Sequence, residues 1–285
     1  MARQVIDTTT DHGTYKGDPA KVAFEKVNAN DAELYQRDDD NFSTLSAQIA
    51  AAPGKSLDRG LISSNGLLLS FSGSTLSLSP GVAFIPSLNK ILAVTTALSK
   101  ALSGMTQNTW YHVYLFAKTD GTPDFEVVTT TPSAVYFGTA RTKSADTSRR
   151  YVGSVRVGAS GVLKFEHHGD RVVYLEDTQG APFQVLAAGS STVAATVSAA
   201  QVAPVTAYAV LLNALNAAAN GAYTRLSNSK GPSAQSGYMA LAAPSSVSVV
   251  QMPVDGAQAY TYAYDLAPSP AGAAYHRING YFFER

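Results

Sequence analysis

The sequence predicts a mainly β protein: a short N-terminal α-helical segment followed by two antiparallel β-sandwich or jelly-roll-like domains. Three observations lead to this prediction. Near the N-terminus apolar residues recur at three- and four-residue spacing, which is the helical period. From about residue 61 apolar and small polar residues alternate, with Ser-Gly and Pro-Gly turns between short segments. Near residue 180 the composition shifts to Ala, Ser, Val and Tyr with few charges, which indicates a domain boundary.

Composition excludes several functional classes. The chain has 285 residues with 21 basic and 21 acidic side chains, so no strong field attracts nucleic acid or an anionic membrane. It contains no cysteine, which excludes disulfides and cysteine-based metal or redox chemistry. No run approaches the roughly 18 apolar residues that a membrane span needs, and the first residues lack a signal-peptide core. We expect no nucleic-acid partner, no membrane span, no cofactor and no export by the usual route.

The helical segment begins at residues suited to a helix start. Asp18 is a good N-cap, and Pro19 fits the first helical position. A stripe of apolar residues follows, made of Ala20, Ala23, Phe24, Val27, Leu34 and Tyr35. Asp31 interrupts this stripe. A second short helix is predicted after the three aspartates at 38–40, with its end at the Ala-Ala-Pro-Gly run of residues 51–54.

The middle of the chain reads as an antiparallel meander. Strands are predicted within 67–85, at 109–117, from 125 and at 149–157. Both faces of the 109–117 strand are apolar or aromatic, so we expect it to be buried on both sides, between two sheets or against a neighbouring subunit. From this region we single out four core or intersubunit residues: Trp110, Tyr114, Arg150 and Tyr151.

The last third is rich in tyrosine. Residues 202–219 fit either a helix or a strand, and the surrounding spacing favours a strand. Residues 260–264 alternate, Asn279 and Gly280 are a predicted turn, and residues 281–285 are a predicted final strand. Tyrosine offers a flat apolar face and a polar tip, which suits contact with sugars. The candidate receptor contacts are Tyr238, Tyr260, Tyr262 and Tyr264, although alternating tyrosines are equally consistent with a core or intersubunit face.

The N-terminal residues resemble a known segment. The run Asp11-His-Gly-Thr14, the pair Gly17-Asp18, and the stretch from Ala23 to Tyr35 are similar to the start of many tail-fibre and baseplate-associated proteins of tailed bacteriophages. Asp31 stands where that family usually has an aromatic residue. A Trp-Tyr-x-Val-Tyr strand, Thr131-Pro132 and residues 146–154 resemble a β-rich domain of the same proteins.

The resemblance implies a homotrimeric tail protein of the virion, assembled in the host cytoplasm. Its partners would be other tail or baseplate proteins and a host surface glycan or outer-membrane receptor. We predict three domains. The resemblance implies a virion-attachment or oligomerisation segment at 1–57 and a β-rich domain at 58–178, and the composition shift and strand pattern predict a C-terminal β-sandwich at 179–285. The implied docking or oligomerisation residues are Asp18, Pro19, Phe24, Val27, Asn28, Leu34 and Tyr35.

Catalytic and metal-binding motifs are weak, so we expect no enzyme. Gly54-Lys55-Ser56 lacks the earlier glycine of a phosphate-binding loop. His167 and His168 are adjacent on a predicted strand and would face opposite sides, which suits a hydrogen-bonded role better than a metal site. Two alternatives stay open: an architectural collar or baseplate component without a receptor, and a polysaccharide depolymerase, which usually needs a repeat that the sequence lacks.

Overall fold

The structure, a computed structural model, describes residues 7–11, 13–14, 16, 19–51, 59–228 and 236–285, with the backbone alone at residues 20 and 42–51. The chain divides into two compact units, Met1–Ser56 and Leu57–Arg285. None of the helical segments in these ranges is long and apolar enough to cross a membrane. The prediction of a mainly β chain with an N-terminal helix is confirmed.

The first unit contains one continuous helix in its described part. Helix α1 runs Ala20–Ala51, and the Pro19 carbonyl accepts a hydrogen bond from the Ala23 amide at 2.9 Å. The prediction of two short helices is therefore wrong. No glycine or proline lies between residues 20 and 51, and aspartate within a helix costs only a fraction of a kcal/mol, so the acidic run at 38–40 does not end it. Asp18 lies outside the described residues, and its capping role stays a prediction.

The described part of the second unit is built from β-strands of 2 to 13 residues. The first twelve are β1 Leu69–Ser72, β2 Thr75–Leu78, β3 Gly81–Ile85, β4 Lys90–Val94, β5 Leu98–Ala101, β6 Thr109–Ala117, β7 Pro123–Val128, β8 Thr142–Lys143, β9 Asp146–Gly158, β10 Gly161–Val162, β11 Phe165–His168 and β12 Arg171–Tyr174. The next eight are β13 Gln184–Gly189, β14 Ala195–Ser198, β15 Ala207–Asn216, β16 Thr224–Asn228, β17 Ala240–Ala242, β18 Ser246–Pro253, β19 Ala259–Tyr264 and β20 Ala274–Phe283.

These strands form five antiparallel sheets. The described orders are β1-β2-β5, β3-β4, β10-β9-β6-β7 with β8 beside β9, β11-β12-β20-β15-β18 with β13 beside β20, and β14-β19-β16-β17. The strand predicted within residues 202–219 is confirmed as β15. Strands β11 and β12 precede the predicted boundary at 178 but share a sheet with β20, which follows it.

Strands β6 and β9 contribute to two cores. Val113 and Leu115 pack with Leu69, Phe125 and neighbours in one core, whereas Tyr114 packs in the other with residues of β12, β15, β19 and β20. Successive residues of a strand point to opposite faces, so the sheet of β6 and β9 is covered on both sides. The prediction that the 109–117 strand is buried on both faces is confirmed.

Gly280 is not in a turn. It lies inside β20, opposite Leu211 of β15 and Val173 of β12, so the predicted Asn279-Gly280 turn is wrong. A Cβ atom added at Gly280 would lie 2.3 Å from the Val172 carbonyl oxygen. The glycine is required here because two backbones approach closely, rather than because the chain reverses.

The end of β20 is joined to the beginning of the same unit. The Arg285 guanidinium, 5% exposed, donates hydrogen bonds to the carbonyls of Ser63, Ser64, Gly66 and Leu67 at 3.0–3.3 Å. These four carbonyls supply hydrogen-bond acceptors to a buried cation.

Candidate functional site

The N-terminal motif forms a local turn. The Asp11 carboxylate accepts a hydrogen bond from the Gly13 amide at 2.8 Å, and Gly13 has a φ of +83°. A short acidic side chain followed two residues later by glycine is what such a turn requires. The spacing of Asp11 and Gly13 is therefore explained by this turn.

The predicted docking residues on α1 are exposed. Phe24 is 69%, Val27 38%, Leu34 52% and Tyr35 72% exposed, and Asn28 and Pro19 are exposed as well. We call Phe24, Val27, Leu34 and Tyr35 the helix stripe. Phenylalanine and leucine at such exposure leave apolar area in water, which is unfavourable by about 25 cal/mol per Å². The stripe is thus available to a partner.

The residues expected in a core or an intersubunit contact are mostly core residues. Tyr114, Arg150 and Tyr151 are fully buried within one chain. The Arg150 guanidinium donates to the carbonyls of Arg141 and Gly60 at 3.2 and 3.3 Å. For these three residues the fold itself supplies the burial that the sequence predicted.

Trp110 differs from these three because it is half-buried. Its indole N–H donates to the Ala200 carbonyl at 2.9 Å, and its ring meets Tyr281 edge to face at 6.0 Å. The ring therefore bridges β6 and β20 while the residue stays partly exposed.

Three of the four candidate receptor tyrosines are buried. Tyr260, Tyr262 and Tyr264 are 0%, 4% and 1% exposed, so their assignment as receptor contacts is wrong. The Tyr260 hydroxyl is hydrogen-bonded to His276 Nδ1 at 2.8 Å, and the Tyr264 hydroxyl donates to Asn216 at 3.0 Å. Their alternation along β19 reflects the inward face of its sheet.

Tyr238 remains at the surface. It is 50% exposed, and the Arg225 guanidinium carbon lies 5.6 Å from its ring centroid. Arg225 also lies 3.8 Å from the Asp265 carboxylate, which accepts a hydrogen bond from the Tyr223 amide at 2.8 Å. Tyr223 itself is 42% exposed. We call Tyr223, Arg225, Tyr238 and Asp265 the Tyr238 patch; it combines two flat rings with a guanidinium and a carboxylate, which suits a ligand rich in hydroxyls.

A serine and a histidine lie close together in the core, a pair that the sequence did not indicate. His112 Nδ1 and Ser154 Oγ are 2.8 Å apart, and Ser154 Oγ is also 2.7 Å from the Tyr151 hydroxyl. Both His112 and Ser154 are 3% exposed, and burial lowers the pKa of His112 to about 4. A nucleophilic serine needs access to a substrate and a base whose pKa is near the working pH. His112, Ser154 and Tyr151 therefore form a buried chain of hydrogen bonds.

The two adjacent histidines face opposite sides, as predicted. The Leu69 amide donates to His167 Nδ1 at 2.9 Å, and His167 Nε2 donates to the Gly169 carbonyl at 3.0 Å, so this buried ring joins β1 to β11. Burial lowers its pKa to about 3. His168 is exposed beside Glu166 at 3.3 Å. Within the described ranges no group of three or more His, Asp or Glu side chains is placed to hold a metal ion.

No protein-family model matches the chain, and no curated protein matches it significantly. The likeness to phage tail proteins therefore rests on the residues quoted above.

Proposed function

We propose that the chain is a structural protein of a bacteriophage tail, a tail fibre or receptor-binding protein. In this proposal its N-terminal segment docks to other tail or baseplate proteins, and its β unit is displayed toward the host surface. It would act as a homotrimer in the virion, after assembly in the host cytoplasm, and would carry no catalytic activity. The two resemblances support the family, and the helix stripe supports the docking role.

The exposed helix stripe is the observation that carries the proposal. Covering Phe24 and Leu34 would stabilise a complex by about 1 to 2 kcal/mol for each side chain, given their present exposure. A 32-residue helix with such a stripe is suited to packing against copies of itself or against a virion neighbour. Three copies would cover it symmetrically.

We interpret the sheets of the second unit as β-sandwich-like layers. Inward residues of the six-stranded and four-stranded sheets share one core, which is the arrangement of a sandwich. A rigid sandwich suits display because it holds surface residues in place. The Tyr238 patch is the part of it that we propose for contact with a host glycan or outer-membrane receptor.

An architectural collar or baseplate component is the second candidate. The burial of Tyr260, Tyr262 and Tyr264 favours it, because three of the four tyrosines considered for receptor contact are unavailable. Such a component would need the helix stripe but not the Tyr238 patch.

Sedimentation of the purified full chain tests the oligomeric part. We expect a trimer at micromolar concentration, and dissociation in the double variant Phe24→Ser/Leu34→Ser. Glu33→Ser is the matched control, because at 100° per residue it lies on the other side of the helix. A monomeric wild-type chain would refute the trimer. An unchanged mass in the double variant would show that the helix stripe is not the contact that holds the trimer together.

A further inference from the structure

A cavity of about 280 Å³ lies beside the first half of strand β6, within the second unit. This volume is near the lower end of the range for small-molecule sites. We call it the Trp110 pocket. Its lining residues come from segments far apart in sequence, and they include Trp110 and His112 on β6, Thr129 and Thr131 after β7, Val205 before β15 and Gln258 before β19.

His112 brings a buried polar group to this pocket. It is 3% exposed, and its Nδ1 atom is 2.8 Å from Ser154 Oγ. No described residue is hydrogen-bonded to its other ring nitrogen, Nε2, so Nε2 is left for a ligand in the pocket. Burial lowers the pKa of His112 to about 4, so at neutral pH the ring is uncharged and carries one N–H group.

The hydrogen-bond chain behind His112 can run in either direction. The Tyr151 hydroxyl is 2.7 Å from Ser154 Oγ and 2.9 Å from Thr206 Oγ1, and each hydroxyl group has one hydrogen to donate. If Nδ1 donates to Ser154, Nε2 is an acceptor; if Ser154 donates to Nδ1, Nε2 carries the hydrogen. A ligand hydroxyl group fits both cases, because it donates and accepts.

Gln258 provides a second buried polar group. It is 6% exposed, and its Nε2 atom donates to the Gly256 carbonyl at 2.8 Å. No described residue donates to its amide oxygen, which can therefore accept a hydrogen bond from a ligand. Its φ is +54°, an uncommon conformation for a residue with a side chain, and such conformations cluster at ligand sites.

The rest of the lining is apolar or uncharged. The half-buried Trp110 and the 45% exposed Val205 supply apolar surface, and Thr129 and Thr131 add hydroxyl groups. A sugar ring combines an apolar face with hydroxyl groups around its edge, and tryptophan is suited to contact with such a mixed surface. We propose that the Trp110 pocket binds a single neutral sugar ring, with its hydroxyl groups bonded to His112 and Gln258.

Trp110 also provides the measurement, because it is the only tryptophan in the sequence. The indole N–H signal in a proton–nitrogen NMR spectrum of the full chain therefore reports on this pocket. Glucose, galactose, mannose and N-acetylglucosamine are the probes. At least one of them should shift the signal with a Kd of about 1 to 10 mM, as expected for a ligand of this size. No shift with any of the four at about 50 mM would overturn the proposal.

Two variants test the position of the sugar. Val205→Phe places a larger side chain at the exposed rim and should weaken binding at least tenfold, whereas Val193→Phe is the matched control, because Val193 is 61% exposed and does not line the pocket. His112→Gln removes the ring nitrogen and should weaken binding about threefold to tenfold. Wild-type affinity in both Val205→Phe and His112→Gln would overturn the pocket as the site.

Cyclohexanol tests the role of the hydroxyl groups, because it has a ring of similar size with a single hydroxyl group. It should bind more weakly than the best of the four sugars. Equal or tighter binding of cyclohexanol would overturn recognition through hydroxyl groups.

A free sugar and the end of a longer glycan present the same ring. A trisaccharide that ends in the best of the four sugars distinguishes these sources. Binding equal to or tighter than that of the single sugar would indicate a glycan end, and binding at least tenfold weaker would indicate a free sugar. The Trp110 pocket shares none of its lining residues with the Tyr238 patch, so these titrations can succeed or fail independently of receptor contact at that patch.

Discussion

Acid should unfold this protein through three buried histidines. His112, His167 and His276 are 3%, 6% and 0% exposed, and burial lowers their pKa values to about 4, 3 and 3. In the unfolded chain each would titrate near 6.5. Between pH 6.5 and 4 the unfolded state therefore binds more protons than the folded state, so stability falls as the pH falls. Above pH 7 both states hold these rings neutral and the contribution is flat.

The size of the effect follows from how many more protons the unfolded state binds than the folded state. Each histidine costs about 1.4 kcal/mol of unfolding free energy per pH unit within the window. Between pH 7 and pH 5 the three together cost about 5 to 6 kcal/mol, which is comparable with the whole stability of many domains. Stopping at pH 5 keeps the assay above the range in which ordinary carboxyl groups titrate.

Denaturant unfolding followed by circular dichroism, at one protein concentration, measures this dependence. His112→Gln keeps a hydrogen-bonding side chain near Ser154 and should reduce the pH slope by about a third, because one of three withheld protons is removed. His168→Gln is the control, since that ring is exposed. A loss of less than about 2 kcal/mol between pH 7 and pH 5 would mean that the buried rings are protonated in the folded chain, and would refute the reasoning.

Three further predictions concern single positions. Gly280→Ala should destabilise the second unit by about 2 to 3 kcal/mol in the same unfolding assay, because the added Cβ would meet a backbone oxygen. Gly256→Ala is the control and should be nearly neutral, because the space around that position is open. If the helix stripe is an intersubunit contact, Asp31→Phe should tighten self-association about tenfold in sedimentation, because it replaces a charge with apolar area. No change would indicate that the stripe packs against another virion protein or against the chain's own body. Tyr238→Ala should reduce inhibition of phage adsorption by the purified chain about tenfold, and equal inhibition by Tyr238→Ala and wild type would favour the architectural role.

The regular elements were predictable because their signals are local. The 109–117 strand has the predicted bounds, since its aromatic and β-branched residues are favourable on both faces of a sheet. The continuous helix was missed because aspartates at 38–40 resemble caps, although capping residues end a helix only where the backbone also leaves helical dihedrals. Asn279-Gly280 was misread as a turn for a similar reason, because Gly280 is needed for a close approach to a strand about a hundred residues earlier.

The candidate site was harder to predict, because alternating residues show which side chains share a face of a strand but not whether that face points to the core or to solvent. Tyr260, Tyr262 and Tyr264 share one face, but which face points to the core depends on the strands of the opposite sheet. The buried pair His112 and Ser154 comes from strands 42 positions apart in sequence, which no local pattern encodes. The Tyr238 patch likewise needs the pairing of β16 with β19 to bring Arg225 near Asp265.

The place of β20 in the sheet has a consequence for synthesis of the chain. This strand pairs with β12, β13 and β15, and Arg285 after it donates hydrogen bonds to the carbonyls of residues 63, 64, 66 and 67. A ribosome makes the partners of β20 first, so they lack their central strand until residues 274–283 have been added. The second unit therefore closes only after residue 285 has left the ribosome, and until then the inward faces of β12 and β15 need protection from aggregation.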